Sequence, residues 1–158
     1  MLLKLSGLLR YVIYDSRQSE VNLSREVAEI KEFIELFSMR SPSPPDIRFE
    51  VLGDVSGFSI EPMLLIPMVE NCFKHADFDS NPKAYCHILL KIDPMTSLHF
   101  STVNTFDPNN NQKDKIGGVG LDNMERRLAL RYPERHQFEY SAVANTFKVA
   151  LNISYHDL

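Results

Sequence analysis

The sequence predicts an α/β fold: a two-layer sandwich with a mixed, mainly antiparallel sheet and its helices on one face, preceded by an N-terminal helical segment. Three observations predict it. Helical apolar spacing gives way to strand alternation after a proline-rich run; later strand-like runs come in pairs joined by short turns; and helical stretches are interleaved with those pairs. The 158 residues fit one ordinary domain plus a short accessory element. No stretch approaches the roughly 20 consecutive apolar residues that a membrane helix needs. Seventeen Lys+Arg against 21 Asp+Glu, a net charge of -4, argues against a chain that grips nucleic acid over a broad face. Two cysteines, Cys72 and Cys86, are too few for a disulfide framework or a four-cysteine zinc site, and predict reduced thiols in the cytosol. No basic leader with an apolar run and a small-residue cleavage site opens the sequence.

Two helices come first. Leu2, Leu5, Leu9 and Val12 step by 3, 4, 3, and Leu23, Val27, Ile30, Ile34 and Phe37 step by 4, 3, 4, 3, so each makes a narrow apolar seam. Asn22 and Ser24 are candidate N-caps for the second helix, and Glu26 in its first turn suits the helix dipole. Pro42, Pro44 and Pro45 stop that helix near Arg40 and mark a boundary, which divides the chain into residues 1–41 and 46–158. Ile47, Phe49 and Val51 alternate as a strand closed by Gly53-Asp54, and residues 58–60 make a second short one. Pro62 opens a buried helix over residues 63–75, kinked at Pro67. Strands follow at 86–92 and 98–103, with a turn between them. The polar run 106–116 reads as a mobile loop that closes as a lid. A helix over residues 121–131 carries Leu121, Met124, Leu128 and Leu130, and strands near 138–142 and 147–153 finish the fold.

Two clusters can carry chemistry. Gly117, Gly118 and Gly120 are three of only six glycines and fall at a helix N-terminus. Glycine permits close backbone approach and positive φ, and the first helical turn offers free N–H groups, a combination suited to phosphate. Alone, such a turn also serves as plain structure. The second cluster is Glu70-Asn71-Cys72-Phe73-Lys74-His75. Asn71, Lys74 and His75 stand at i, i+3 and i+4 on one helix face, where an amide oxygen can meet a magnesium ion and two donors can meet phosphate oxygens. A helix end decorated with basic residues for dipole reasons is the plain alternative.

Together the clusters carry a resemblance. The run from Ile60 to His75 resembles the N-box of the LytS-like branch of sensor histidine kinases, and the run from Gly117 to Leu128 resembles that branch's second glycine box and following helix. Leu5-Ser6-Gly7-Leu8-Leu9-Arg10-Tyr11 resembles the start of the second dimerisation helix, and residues 26–40 resemble the segment that joins it to the catalytic domain. The resemblance implies an ATP-binding domain of the superfamily shared by DNA gyrase, the heat-shock ATPase chaperone, histidine kinases and MutL. It implies Mg²⁺ on Asn71; phosphate contacts from Lys74, His75, Gly117, Gly118, Gly120 and Leu121; and a catalytic role for Asn71 and Glu70. It also implies a homodimer in the full-length protein, a response regulator as partner, and a cytoplasmic domain whose parent attaches to the membrane through upstream segments.

The chain departs from the family pattern in two places. Asn104-Thr105-Phe106 stands where the family carries Asp-x-Gly, so the adenine amino group meets the carbonyl of Asn104, a neutral acceptor roughly half as strong as a charged one. The Pro-His-Phe motif of the phosphoacceptor helix is absent; all five histidines (His75, His87, His99, His136 and His156) fall in the catalytic region. The expected reading is therefore a piece that begins after the acceptor, cannot phosphorylate itself, and transfers the ATP γ-phosphoryl group to a histidine elsewhere. The alternative is a dimerisation and signalling module whose nucleotide site has decayed. A gyrase-like or MutL-like ATPase is disfavoured, because Pro67 occupies the position of that group's general-base Glu.

Overall fold

In the computed structural model of the protein, residues 19–93, 96–108 and 119–155 are described. The helix expected over residues 2–12, most of the loop at 106–116, Gly117, Gly118 and His156 lie outside them. The described residues fall into two compact units, one running to Pro45 with Val55–Pro67, the other comprising Asp46–Asp54 and the chain from Met68 onward.

In the first unit, β1 (Val21–Asn22) leads directly into α1 (Leu23–Arg40). Asn22 caps the helix as expected, its Oδ1 accepting from the N–H of Ser24 at 2.9 Å. The helix ends at Arg40 before the prolines, and its first half buries Leu23, Val27 and Ile30. Residues 58–60 form the short strand β3 (Ser59–Ile60), antiparallel to β1.

Glu26 stands in the first turn, as expected, and is fully buried. Its carboxylate accepts from the N–H of Met63 at 2.6 Å and of Leu65 at 3.2 Å. These bonds hold residues 61–65 as an irregular turn, with Met63 at φ 57°, so α2 begins at Ile66 and runs to His75 instead of starting at Met63. Pro67 then sits in the first turn, where its missing N–H costs nothing, and the kink expected at that position has no helix before it to bend.

The second unit is a five-stranded sheet. β2 (Asp46–Leu52) is parallel to β4 (Tyr85–Asp93); β5 (Ser97–Thr105), β6 (His136–Val143) and β7 (Thr146–Ser154) complete the order β2-β4-β5-β7-β6 with antiparallel pairs. The fold class expected from the sequence is the one observed. Gly53 closes β2 at φ 98°; a Cβ there would lie 2.6 Å from the Ile92 carbonyl oxygen, so only glycine fits.

Burial along the central strands alternates with period two. Cys86, Ile88, Leu90 and Ile92 on β4 stand opposite Asn104, Thr102, Phe100 and Leu98 on β5, which in turn stand opposite Phe147, Val149, Leu151 and Ile153 on β7. All twelve are buried on one face. Burying a side chain such as Phe100 or Leu151 completely contributes about 1.5–3 kcal/mol. α2 covers this face, since Cys72 on the helix is bonded to Cys86 on β4. The reduced thiols expected from the sequence are therefore a disulfide: the strand alternation turns Cys86 inward, and the apolar stripe of α2 turns Cys72 toward it. α3 (Val119–Arg131) buries Leu121, Met124 and Leu128, whereas Leu130 is 85% exposed. At 100° per residue it lies well off the line of Leu121, Met124 and Leu128.

Candidate functional site

α2 is built from two stripes. Met68, Val69, Cys72, Phe73 and Ala76 are buried, which leaves Glu70 and Lys74 exposed and Asn71 and His75 half-buried. A helix with this pattern must turn one polar edge along the boundary between core and solvent.

At that edge Asn71 meets the start of α3. A methyl in place of the Gly120 hydrogen would lie 3.8 Å from Asn71 Nδ2 and 3.9 Å from its Oδ1. The amide and this glycine are thus neighbours. Gly120 is helical and shows no positive φ, and a Cβ there would meet the amide at ordinary contact distance. Leu121, placed with the glycines by the sequence, buries its side chain in the core.

The second polar position lies on the sheet. Asn104 is completely buried on the inner face of β5. Its Nδ2 donates to the Thr105 carbonyl oxygen at 2.7 Å. A carbonyl oxygen accepts and never donates, so this bond fixes which end of the amide is which. The remaining atom, Asn104 Oδ1, is buried with no hydrogen-bond partner. An unmatched buried acceptor costs about 1–3 kcal/mol.

The two positions are tied together. Cys72 follows Asn71 and bonds Cys86, whose partner across the β4–β5 ladder is Asn104. Thr105 adds a second tie, its Oγ1 donating to the Ala76 carbonyl oxygen at 2.6 Å and accepting from the Tyr85 N–H at 3.3 Å. Three rings cluster at Phe147, the residue opposite Asn104. Phe147 faces Asn104 across the β5–β7 ladder, with the His75 ring 6.3 Å and the Phe106 ring 5.8 Å from the Phe147 ring. Phe147 is the residue that sequence reading missed; its alternation in β7 was legible, but the register that sets it beside Asn104 was not.

A cleft of about 650 Å³ opens just beyond these residues, lined by Ala76, Asp77, Tyr85, Thr105, Phe106 and Asp107 among others. Asn71, Lys74, His75, Asn104 and Gly120 do not line it. Two aspartates, Asp77 and Asp107, and one lysine, Lys83, are among its lining residues. Glu70, next to Asn71, has its carboxyl raised above the ordinary value of 4.5 by desolvation, an effect limited by the exposure of its side chain. Among the described residues no three His, Cys, Asp or Glu side chains group as a metal site. A magnesium ion here would take one amide oxygen from Asn71 and the rest from phosphate and water, the usual economy of Mg²⁺ at nucleotide sites. These residues fit such an ion.

No family model matches the chain. The sensor protein LytS of Staphylococcus saprophyticus is 25% identical over 170 residues, covering 100% of this chain and 28% of that protein. The sensor histidine kinase/phosphatase LytS of Staphylococcus aureus is 26% identical over 162 residues, covering 93% of this chain and 27% of that protein. The chain is thus similar to one part of the LytS sensor kinases. It spans between a quarter and a third of their length. Its fold is that of histidine kinase catalytic domains. The nucleotide-free catalytic domain of the histidine kinase ThkA superposes with a TM-score of 0.61 at 17% identity, covering 85% of this chain and 95% of that one. ThkA in complex with the response regulator TrrA matches with a TM-score of 0.59 at 14% identity, over 98% of this chain and 48% of that one. Among the described residues no helix is long and apolar enough to cross a membrane.

Proposed function

We propose that the chain is the ATP-binding catalytic region of a two-component sensor histidine kinase, transferring the ATP γ-phosphoryl group to a histidine outside these residues. One observation carries this reading: Asn104 presents a locked, buried and unmatched acceptor beside an aromatic group, on the same face as the amide of Asn71. Adenine offers what such a position lacks, a ring to stack and an amino group to donate.

In this reading Asn104 Oδ1 accepts from the adenine amino group, and His75 and Phe106 flank the base. Asn71 holds Mg²⁺, Lys74 neutralises phosphate charge, and Gly120 with Gly117 and Gly118 lets the phosphates approach the N-terminus of α3. Bound Mg²⁺ supplies charge neutralisation on the phosphates. The chain's own contribution is positioning: the phosphoryl group must be held in line with an incoming imidazole nitrogen, and Glu70 stands one residue from Asn71 as the candidate group to receive or hold a proton. The full-length protein would act as a homodimer on a response regulator, as a cytoplasmic domain of a membrane-attached parent. Support for the partner comes from the fold shared with ThkA, which is seen bound to its regulator. Calorimetric titration with a non-hydrolysable ATP analogue and Mg²⁺ tests the proposal. Saturable binding that weakens without Mg²⁺ is expected; a folded sample that gives no heat up to millimolar ligand refutes it.

A second reading has one observation behind it. Phe106 fills the position of the family's glycine and packs its ring 5.8 Å from Phe147, narrowing the space next to Asn104. A site closed in this way would leave a signalling module without kinase activity. Asn104→Asp separates the two readings, because a restored charge raises nucleotide affinity only where a nucleotide can enter.

A further inference from the structure

The Cys72–Cys86 disulfide joins the two elements that carry the proposed nucleotide contacts, with Cys72 directly after Asn71 and Cys86 opposite Asn104 in the β4–β5 ladder. Both cysteines are buried, at 1% and 0% exposure, within the packed face between α2 and the sheet. We infer that this bond is a redox-controlled tether: closed, it holds Asn71 beside Gly120 and the site is competent for Mg²⁺-nucleotide; opened, it lowers the affinity of the site. The inference rests on the nucleotide reading above.

The physical argument is one of space. Two unbonded sulfurs settle about 3.5–4.0 Å apart, the ordinary separation of heavy atoms in contact, and cannot stay at bonding distance. A core packed to crystal density has no room to absorb that separation between two fully buried side chains, so α2 must shift or the side chains must leave their rotamers. Apart from its packing, the C-terminal end of α2 is then tied to the sheet by contacts such as the Thr105–Ala76 bond and the His75–Phe147 ring contact. Asn71 is within one residue of the break, and its 3.8 Å approach to the Gly120 position depends on how α2 is seated. Groups that orient a metal ligand from behind change metal affinity by about 10- to 100-fold when they are lost.

The chemistry balances with a dithiol reductant. A thiolate of the dithiol attacks one sulfur, the S–S bond breaks, and a mixed disulfide forms. The second thiol of the dithiol displaces the protein sulfur, leaving an oxidised dithiol and two protein thiols that have gained two electrons and two protons. Because both sulfurs are buried, attack requires local opening of α2, so exchange is slow in the resting protein and depends on the stability of that helix.

The test uses the full 158-residue chain, oxidised or reduced with dithiothreitol, with the thiol count checked by alkylation and mass spectrometry. Calorimetry with Mg²⁺ and a non-hydrolysable ATP analogue should give an affinity about tenfold weaker in the reduced state. Cys86→Ala should bind weakly in both conditions and lose the redox response. Equal affinity in both states, or two free thiols in air-oxidised protein, overturns the tether. Binding in neither state overturns the nucleotide reading instead. That outcome is told apart by amide hydrogen exchange: α2 exchanges faster on reduction if the tether is real, and at an unchanged rate if it is not.

Discussion

Glu26 and Asn104 are both polar and both fully buried, yet they serve opposite ends. Each oxygen of Glu26 accepts a backbone N–H, from Met63 or Leu65, and the carboxylate has become part of the frame. Asn104 uses its amide nitrogen on Thr105 and leaves its oxygen with nothing. Complete bonds make Glu26 part of the frame, and we read the incomplete set on Asn104 as a binding role. The difference is thermodynamic: the first group lowers the energy of the empty protein, whereas the second raises it and recovers the cost only with ligand.

The largest expected effect comes from the framed group. Glu26→Ala strands the N–H groups of Met63 and Leu65, each costing about 1–3 kcal/mol, so urea unfolding should show a loss of about 3 kcal/mol or more. A loss below 1 kcal/mol would erase the contrast with Asn104. Asn104→Asp should lower the stability of the empty protein by about 2 kcal/mol, because it buries a charge and removes the donor to Thr105, while tightening nucleotide binding. Asn104→Ala should leave apo stability within about 1 kcal/mol of the parent and weaken nucleotide binding about fivefold, the worth of one neutral hydrogen bond.

Gly120→Ala sharpens the comparison at the other end of the site. The added methyl meets only ordinary contacts at 3.8 Å and replaces a helical glycine. Thermal unfolding should therefore show a gain of about 0.5–1 kcal/mol, and titration should show weaker Mg²⁺-nucleotide binding because the methyl stands against the Asn71 amide. The smallest effect is at Glu70. Its carboxyl is raised in the folded state, so the ionised form is the disfavoured one there. Glu70→Gln should raise the melting temperature slightly at neutral pH, with the gain fading as pH falls through the raised folded value toward 4.5 and vanishing below it. A gain that grows toward low pH would mean the shift has the opposite sign.

How much of this was legible in the sequence follows from the range over which each feature is decided. The strands β4, β5 and β7 and the helices α1 and α3 were readable because period and punctuation are local properties. The start of α2 was not: a carboxylate on Glu26, 37 residues upstream of Met63, takes the N–H groups that a helix from Met63 would have used differently. β1 is two residues long and exists only by pairing with β3, which no local window reveals. Leu130 is apolar but off the buried stripe, so its exposure follows from helical phase. On the site, Asn71, Lys74, Asn104 and the glycines came from motif resemblance joined to helical spacing. The unmatched oxygen of Asn104, the ring of Phe147 beside it and the Cys72–Cys86 bond are facts of register, which a sequence carries only implicitly.

The central claim is that Asn71 and Asn104 form the two ends of one Mg²⁺-nucleotide site. The most direct measurement is the NMR spectrum of their side-chain amides, in protein labelled with ¹⁵N, during titration with a non-hydrolysable ATP analogue and Mg²⁺. The account predicts that both amide pairs shift together along a single saturable curve, with Asn71 responding only when Mg²⁺ is present. Movement of neither amide in a folded protein, or of Asn104 alone regardless of Mg²⁺, would contradict it.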